Sequence, residues 1–556
     1  MNIRIKKDIG QEYESFNMTG VSTIEDVARE LQPGLSYRIL FARVNGRDTE
    51  LTAKVSEGDC IELLDGRTYC ANQVYQRSLS MLYLKAIDLV YAGNEPKVVI
   101  DNSLNKGFYT IIEGVEPTEE LAALIESQMR RLVAEDMPVI REVFTKEEGI
   151  KLWEESGYSE KADLLKNTAD KINKAVFYNM DGYRNYFYGP MVPSAGYIEY
   201  FQVMPYGEGF LLRYPYYSNP SEIPTYVDEF KLFEAFAEER KWLGLLRANY
   251  LSDLNAIVRS GKYEDMILLT EALHEKRIAE IADMIKEQKK RIILIAGPSS
   301  SGKTTTCRRL CIQLRVNGLE PVYLGTDDYF VNREETPLDE KGEKDYESIK
   351  ALDLKLFNEH MKALLKGEEV DIPEFDFIQG RKVFGKRITS IGKDQPIVIE
   401  GIHALNDELT SQIDDSEKFK IYISPLTQLN IDSHNRVPTT DARMLRRMVR
   451  DNRARGHSAA NTIRDWPKVR AGEDKNVFPY NIKADVVLNS VLAYELCLLK
   501  KHVLPLLEEI DPDSQEYSEA VRIRKNLELF AEIDSDDCVP NNSIVREFIG
   551  GSVFVD

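Results

Sequence analysis

The stretch GPSSSGKT, Gly297 to Thr304, constrains what this 556-residue chain can fold into more than any other feature. It satisfies G-x-x-x-x-G-K-[ST] at every position, follows the strand-like RIILIA and opens the helical TTTCRRLCIQLRVNG. A strand, a loop and a helix in that order aim backbone N–H groups and a helix N-terminus at phosphate, so a nucleoside triphosphate is the expected ligand. Gly297 and Gly302 let the backbone curl, with Pro298, Ser299, Ser300, Ser301 and Thr305 completing the cradle. Lys303 is placed to neutralise β/γ oxygens and Thr304 to ligate Mg²⁺. From 289 to about 510, the apolar runs RIILIAG, PVYLGT, PIVIEG, KIYIS and ADVVLN alternate with helical segments, the pattern of a parallel sheet wrapped by helices.

The chain is too long for a single hydrophobic core, and its texture changes several times. Residues 1–64 alternate short strand patterns around one helical stretch, TIEDVARELQ, as a β-grasp unit does. Residues 65–225 read as an α+β domain, and 226–288 as a charged helical connector that packs between its neighbours. Residues 511–556 form a tail ending in VPNNSIVREFIGGSVFVD, with docking on another subunit or on the connector left open.

Several classes are excluded or disfavoured. No apolar run approaches the ~20 residues of a membrane helix, and MNIRIKKDIGQEYES lacks a signal-peptide core, so a cytoplasmic protein without membrane contact is expected. The six cysteines are scattered and read as reduced, buried thiols. A formal net charge of −20 argues against a broad RNA surface and leaves room for a local cationic pocket.

Three further features bear on chemistry. LGTDDYF puts Asp327 and Asp328 at a C-terminal strand end, where ligands of open α/β sheets collect; a carboxylate there is either a proton acceptor or part of a solvated turn. PIVIEGIHALN carries Glu400 directly after an apolar strand, where an acid pairs with a cation or binds metal; Thr304, Asp327 and Glu400 form the expected Mg²⁺ set. RMLRRMVRDNRARGH places Arg443, Arg446, Arg447 and Arg450 at i, i+3, i+4 and i+7, one helical face, with only Asp441 and Asp451 as nearby acids. Cations in such an array suit the equatorial oxygens of a transferring phosphoryl group.

GPSSSGKTT, TDDYF, PEFDF, IVIEGIHAL and RRMVRDNRARG, in that order over about 220 residues, resemble the uridine kinase and phosphoribulokinase family of P-loop kinases. The resemblance implies an α/β P-loop kinase domain in which Asp327 is the catalytic base, Glu400 works at Mg²⁺ with the loop hydroxyl, and Arg447, Arg450 and Arg455 are lid arginines holding substrate and phosphates. It further implies acceptor contacts from Glu347, Phe375, Phe377 and Arg381. Three departures matter: Glu347 stands where uridine kinases use aspartate, the histidine that reads the pyrimidine edge is missing near Gln379 to Arg381, and His457 replaces the final lid arginine. Loss of a hydrogen-bonding group at the base edge relaxes or redirects base choice.

The front half resembles other proteins. Residues 1–64 are similar to a TGS domain through ILFARVNGRDTELTAKVSEGDCIELL, and 65–225 to the editing-type domain of threonyl-tRNA synthetases through NKGFYTI, TKEEGIKLWEESGYSEKADLL and YGPMVPSAGYI. The metal-ligand positions of that domain fall on Arg77, Met81, Phe187 and Met191, and the first histidine in the chain is His274, so editing chemistry is not expected. Together the resemblances imply an ATP-dependent nucleoside 5′-kinase acting on a nucleoside or another small hydroxyl substrate, such as a pentose phosphate. The front half would then be structural or regulatory, and a homo-oligomer is compatible with it. The alternative is a nucleotide-switched protein that binds RNA or a ribosome-associated partner.

Overall fold

A computed structural model describes residues 1–94, 96–167, 173–339 and 342–554. The strand Ile292–Ala296 is the centre of a five-stranded, all-parallel sheet whose order is Val322–Gly325, Ile397–Glu400, Ile292–Ala296, Lys418–Ser424, Val486–Asn489. Every residue of the central strand is buried, because helices cover both sheet faces; that is why IILIA is continuously apolar and does not alternate. The loop after it leads into the helix Lys303–Val316, so the phosphate-binding pattern sits at the carboxyl end of the middle strand.

Three earlier units precede this sheet. Residues 2–65 form a mixed five-stranded sheet in which Asn2–Lys6 runs parallel to Cys60–Asp65, with the helix Ile24–Leu31 packed on it and capped by Thr23 through reciprocal bonds with Asp26. The long helix Tyr69–Val90 and the helix Glu119–Ala134 back a four-stranded antiparallel sheet, and a separate three-stranded sheet runs through Ile140–Thr145, Lys174–Met180 and Tyr183–Asn185. Next come the helices Phe230–Leu246, Leu251–Arg259 and Tyr263–Glu287.

One apolar core joins parts that are distant in sequence. Leu251 and Ile267 of the connector, Met444 and Met448 of the arginine-rich helix Thr439–Arg455, Leu498 and Val503 of Glu495–Glu508, and Ile523 and Val545 of the tail pack in one cluster. The tail therefore folds onto its own chain, with Ile544, Val545 and Phe548 fully buried. Its apolar residues are the tail's own contribution to that core.

The front half is bolted to the segment that leads into the arginine-rich helix. Ile100 N donates to Ser433 O at 2.8 Å, Asn430 Nδ2 donates to the carbonyls of Ile100 and Asp101 at 3.1 Å each, and Gln428 Nε2 donates to Asp101 at 2.7 Å. Lys161 and Asp432, 2% and 1% exposed, form an ion pair of 3.5 Å. Such buried polar groups are satisfied only in one relative placement of the two halves, which sets the angle of the helix.

Candidate active site

Two glycines of the loop are required by contact. A Cβ on Gly297 would lie 2.1 Å from the Ile423 carbonyl oxygen of the neighbouring strand, and Gly302 has φ +81° with Ile544 Cγ2 2.4 Å from its would-be Cβ. Lys303 folds back on the loop, donating to the Gly297 and Pro298 carbonyls at 3.0 Å each. Burial lowers its ammonium pKa, opposed first by Glu400 and then by Glu547, Asp327 and Glu473, so the expected cation and the expected acids share one cleft.

Thr304 Oγ1 donates to the Glu400 carboxylate at 3.1 Å, and Tyr323 donates its phenol to the same group. Burial pushes the Glu400 carboxyl up, with Tyr323 and Lys303 opposing. A hydroxyl and a carboxylate of this kind are hard oxygen donors suited to Mg²⁺, which takes most of its remaining ligands from phosphate and water; among the described residues no group of three or more acids, histidines or cysteines forms a metal cage.

The two acids of TDDYF have different surroundings. Asp328 pairs with Arg387 at 2.6 Å, whereas Asp327 faces the open cleft and has no ion-pair partner among the described residues. The protein around that cleft raises its carboxyl above the ordinary aspartate range, with Lys303 opposing the rise. A carboxylate that holds a proton more readily than usual is a better acceptor for a hydroxyl proton. Glu347 lies on the same cleft, within electrostatic reach of Arg447 and Lys303, and against Gly472, whose would-be Cβ falls 3.4 Å from Glu347 Cγ. Phe375 and Phe377 meet edge to face at 5.1 Å beside Phe330, and Phe377 stays 62% exposed. Arg381 is exposed on a short strand paired with the one that carries Phe375.

The arginines divide into two sets. Arg443 and Arg446, on the face expected to meet anions, are buried and ion-paired with Glu473 and Glu495. They brace the loop from behind: Arg443 Nε donates to Ser299 O at 3.1 Å and Arg446 Nη1 to Ser300 O at 3.3 Å. Arg447, Arg450 and Arg455 instead gather on the buried carboxylate of Asp451 at 3.3, 2.8 and 3.3 Å, which holds three cations together at the end of the helix.

Two acids absent from the sequence reading occupy loop donors. Ser299 N donates to Glu473 Oε1 at 2.9 Å, and Thr305 donates to Glu547 Oε2 through Oγ1 at 2.8 Å and through its amide at 3.3 Å. The Thr305 amide lies in the first turn of its helix, one of the donors left without a carbonyl partner there, and an anion is the natural cap. No local motif marks Glu473 or Glu547, since both act across long sequence separations.

Residues 292–496 match the model of the phosphoribulokinase / uridine kinase family. These residues are a phosphoribulokinase / uridine kinase domain. A uridine kinase of Deinococcus deserti is 28% identical over 198 residues, covering 35% of this chain and 86% of that enzyme. The N-terminal region is homologous to threonine–tRNA ligases: that of Syntrophomonas wolfei is 28% identical over 205 residues and that of Carboxydothermus hydrogenoformans 30% identical over 183. The chain spans 31% and 28% of those two ligases, so the likeness concerns under a third of each. The kinase domain's boundaries contain Gly297, Lys303, Asp327, Glu347, Glu400 and Arg447 to Arg455 and stop short of Glu547.

Proposed function

We propose that this chain transfers the γ-phosphoryl group of ATP to the 5′-hydroxyl of a nucleoside. The supporting observation is the convergence, in one cleft of a phosphoribulokinase / uridine kinase domain, of Lys303, unpaired Asp327, Glu347 and the Thr304–Glu400 pair. The acceptor hydroxyl attacks the γ-phosphorus, the bond to the bridging oxygen of ADP breaks, and the hydroxyl proton passes to Asp327. Lys303 and the arginines held by Asp451 answer the charge spread over the transferring oxygens. Thr304 and Glu400 would hold Mg²⁺, which when bound neutralises charge between the β- and γ-phosphates. Glu347 hydrogen-bonds the ribose and the Phe375–Phe377 pair flanks the base. Loss of the edge-reading histidine points to a broader or shifted base preference than that of a pyrimidine kinase.

The test is ADP release by the full chain with Mg²⁺-ATP and a panel of nucleosides and pentose phosphates, beside Asp327→Asn. Nucleoside-dependent turnover absent from the variant is the expected result; turnover with a pentose phosphate alone would move the acceptor to another sugar.

Glu547 must leave Thr305 if phosphate is to take those donors. Glu547→Ala is therefore expected to tighten Mg²⁺-ATP binding about tenfold, the equivalent of one charge-assisted hydrogen bond released from competition. Equilibrium binding of ATP checks it, and an unchanged affinity would leave Glu547 as a helix cap only.

A further inference from the structure

Between the front half and the kinase domain lies a second cavity of about 1000 Å³. Its walls come from the helix Tyr69–Val90, the chain around Tyr188 and Tyr216, the segment that enters the arginine-rich helix, and the helix Ala459–Asn476. Lys303, Asp327, Glu347 and Glu400 are absent from those walls, so this is a different space from the phosphoryl-transfer cleft. Its size suits a whole small molecule.

The charge of the lining is opposite to that of the chain. Seven lysines and arginines line the cavity against two acids, Glu229 and Asp474, in a protein of net charge −20. Some of these cations are already answered: Arg443 by Glu473, Arg470 by Glu473 and Asp474, Arg522 by Asp441 and Glu519. Four have no carboxylate within ion-pair distance among the described residues: Lys106 and Lys475, which are exposed to water, and Arg77 and Arg436, which are not. Arg77 donates only Nε, to the Pro190 carbonyl at 3.1 Å, and burial drives its guanidinium down to about 10. Arg436 has its Nε buried without a partner and lies 5.5 Å from the Phe108 ring centre, and burial lowers its pKa as well.

An unpaired guanidinium in a low-dielectric wall destabilises the fold unless something supplies the counter-charge. The chain nevertheless makes room for one of them: a Cβ on Gly189, at φ +145°, would fall 2.7 Å from Arg77 Cζ. One orphan cation comes from the front half and the other from the kinase domain, so the counter-charge belongs to a molecule held between them. Ten aromatic side chains share the lining, which favours a planar ring in the same molecule. Tyr188 offers a hydroxyl with no hydrogen-bond partner among the described residues.

We propose that this cavity is a nucleotide-binding site, in which the phosphate groups pair with Arg77 and Arg436 and the base lies among the tyrosines. The site touches the kinase domain through Arg443, which lines the cavity and also donates to the Ser299 carbonyl of the phosphate loop. The proposal does not depend on which acceptor the kinase uses.

The experiment is calorimetric titration of the full chain carrying Lys303→Ala, which weakens binding at the phosphate loop, with UMP, AMP and inorganic phosphate in turn. A nucleotide is expected to bind at one site, with affinity lowered at least about tenfold by either Arg77→Met or Arg436→Met. Without ligand, both methionine variants are expected to melt at or above the parent's temperature, since each removes an unanswered charge. Absence of nucleotide binding, affinity in both methionine variants unchanged from the parent, or inorganic phosphate binding as tightly as the nucleotides would overturn the proposal. If the methionine variants do not fold, arginine modification by phenylglyoxal, read by peptide mass spectrometry, decides the matter. Protection of Arg77 and Arg436 by UMP or AMP supports the site; undiminished labelling refutes it.

Discussion

Asp327→Asn is expected to lower turnover by about 10²–10⁴-fold while leaving Mg²⁺-ATP binding nearly intact. The amide keeps the shape of the side chain but takes up no proton, and Lys303 and the loop backbone that meet the triphosphate are untouched. Burial raises the carboxyl of Asp327 above the ordinary aspartate range, with Lys303 opposing, and a melting curve of the variant separates loss of chemistry from loss of fold. The same shift fixes the sign of a pH effect. The base works only when deprotonated, so kcat/KM is present above its elevated pKa and falls as pH drops through that value, at a higher pH than an ordinary aspartate would set. Parallel loss of ATP affinity and turnover in the variant would assign Asp327 to binding and remove it from the chemical step.

Glu495→Ala is expected to destabilise the kinase domain by about 3–5 kcal/mol, because it strands the Arg446 guanidinium in the core. Arg446 and Glu495 have side chains 0% and 1% exposed, and their bidentate pair includes an Nη2–Oε2 bond of 2.7 Å. Arg446 Nη2 also donates to Ser490 O at 2.7 Å, and Ser490 Oγ donates to Ser301 O at 2.6 Å, so the pair is built into the back of the phosphate loop. Removing one partner leaves a charge without an answer; replacing both by methionine leaves neither. The double variant Arg446→Met/Glu495→Met should therefore recover most of the lost stability in chemical denaturation. ATP affinity should stay reduced in the double variant, because the Ser300 carbonyl loses its donor there. A small effect of Glu495→Ala, under about 1 kcal/mol, would mean that water reaches the pair.

These two residues illustrate the difference between the sites that could be read in advance and those that could not. Asp327 is marked by its position after a strand, within a few residues of sequence. Arg446 carries the same local signature as Arg447, one residue away on the same helix, and only packing separates them: Arg446 turns into the core toward Glu495, and Arg447 toward Asp451 and the cleft. The count of nearby acids misled for the same reason. Asp441 and Asp451 were visible on the helix itself, while Glu473 and Glu495 arrive from helices that follow it in the chain.

The sequence by itself marked the phosphate-loop pattern, the parallel sheet around it, Asp327 and Glu400 as candidates, and the absence of imidazole from the front half. The loop and the two acids rest on residue identity within a dozen or so positions, the sheet on the recurrence of apolar runs, and the missing imidazole on composition. The tertiary structure alone decided that the tail caps Thr305 with Glu547, that two of the four arginines are braces, and that Arg77 and Arg436 face one cavity. A charged side chain carries no local mark of its partner. Whether it is a solvated surface group, half of a buried pair or a waiting ligand contact is settled by which distant segments the core brings beside it.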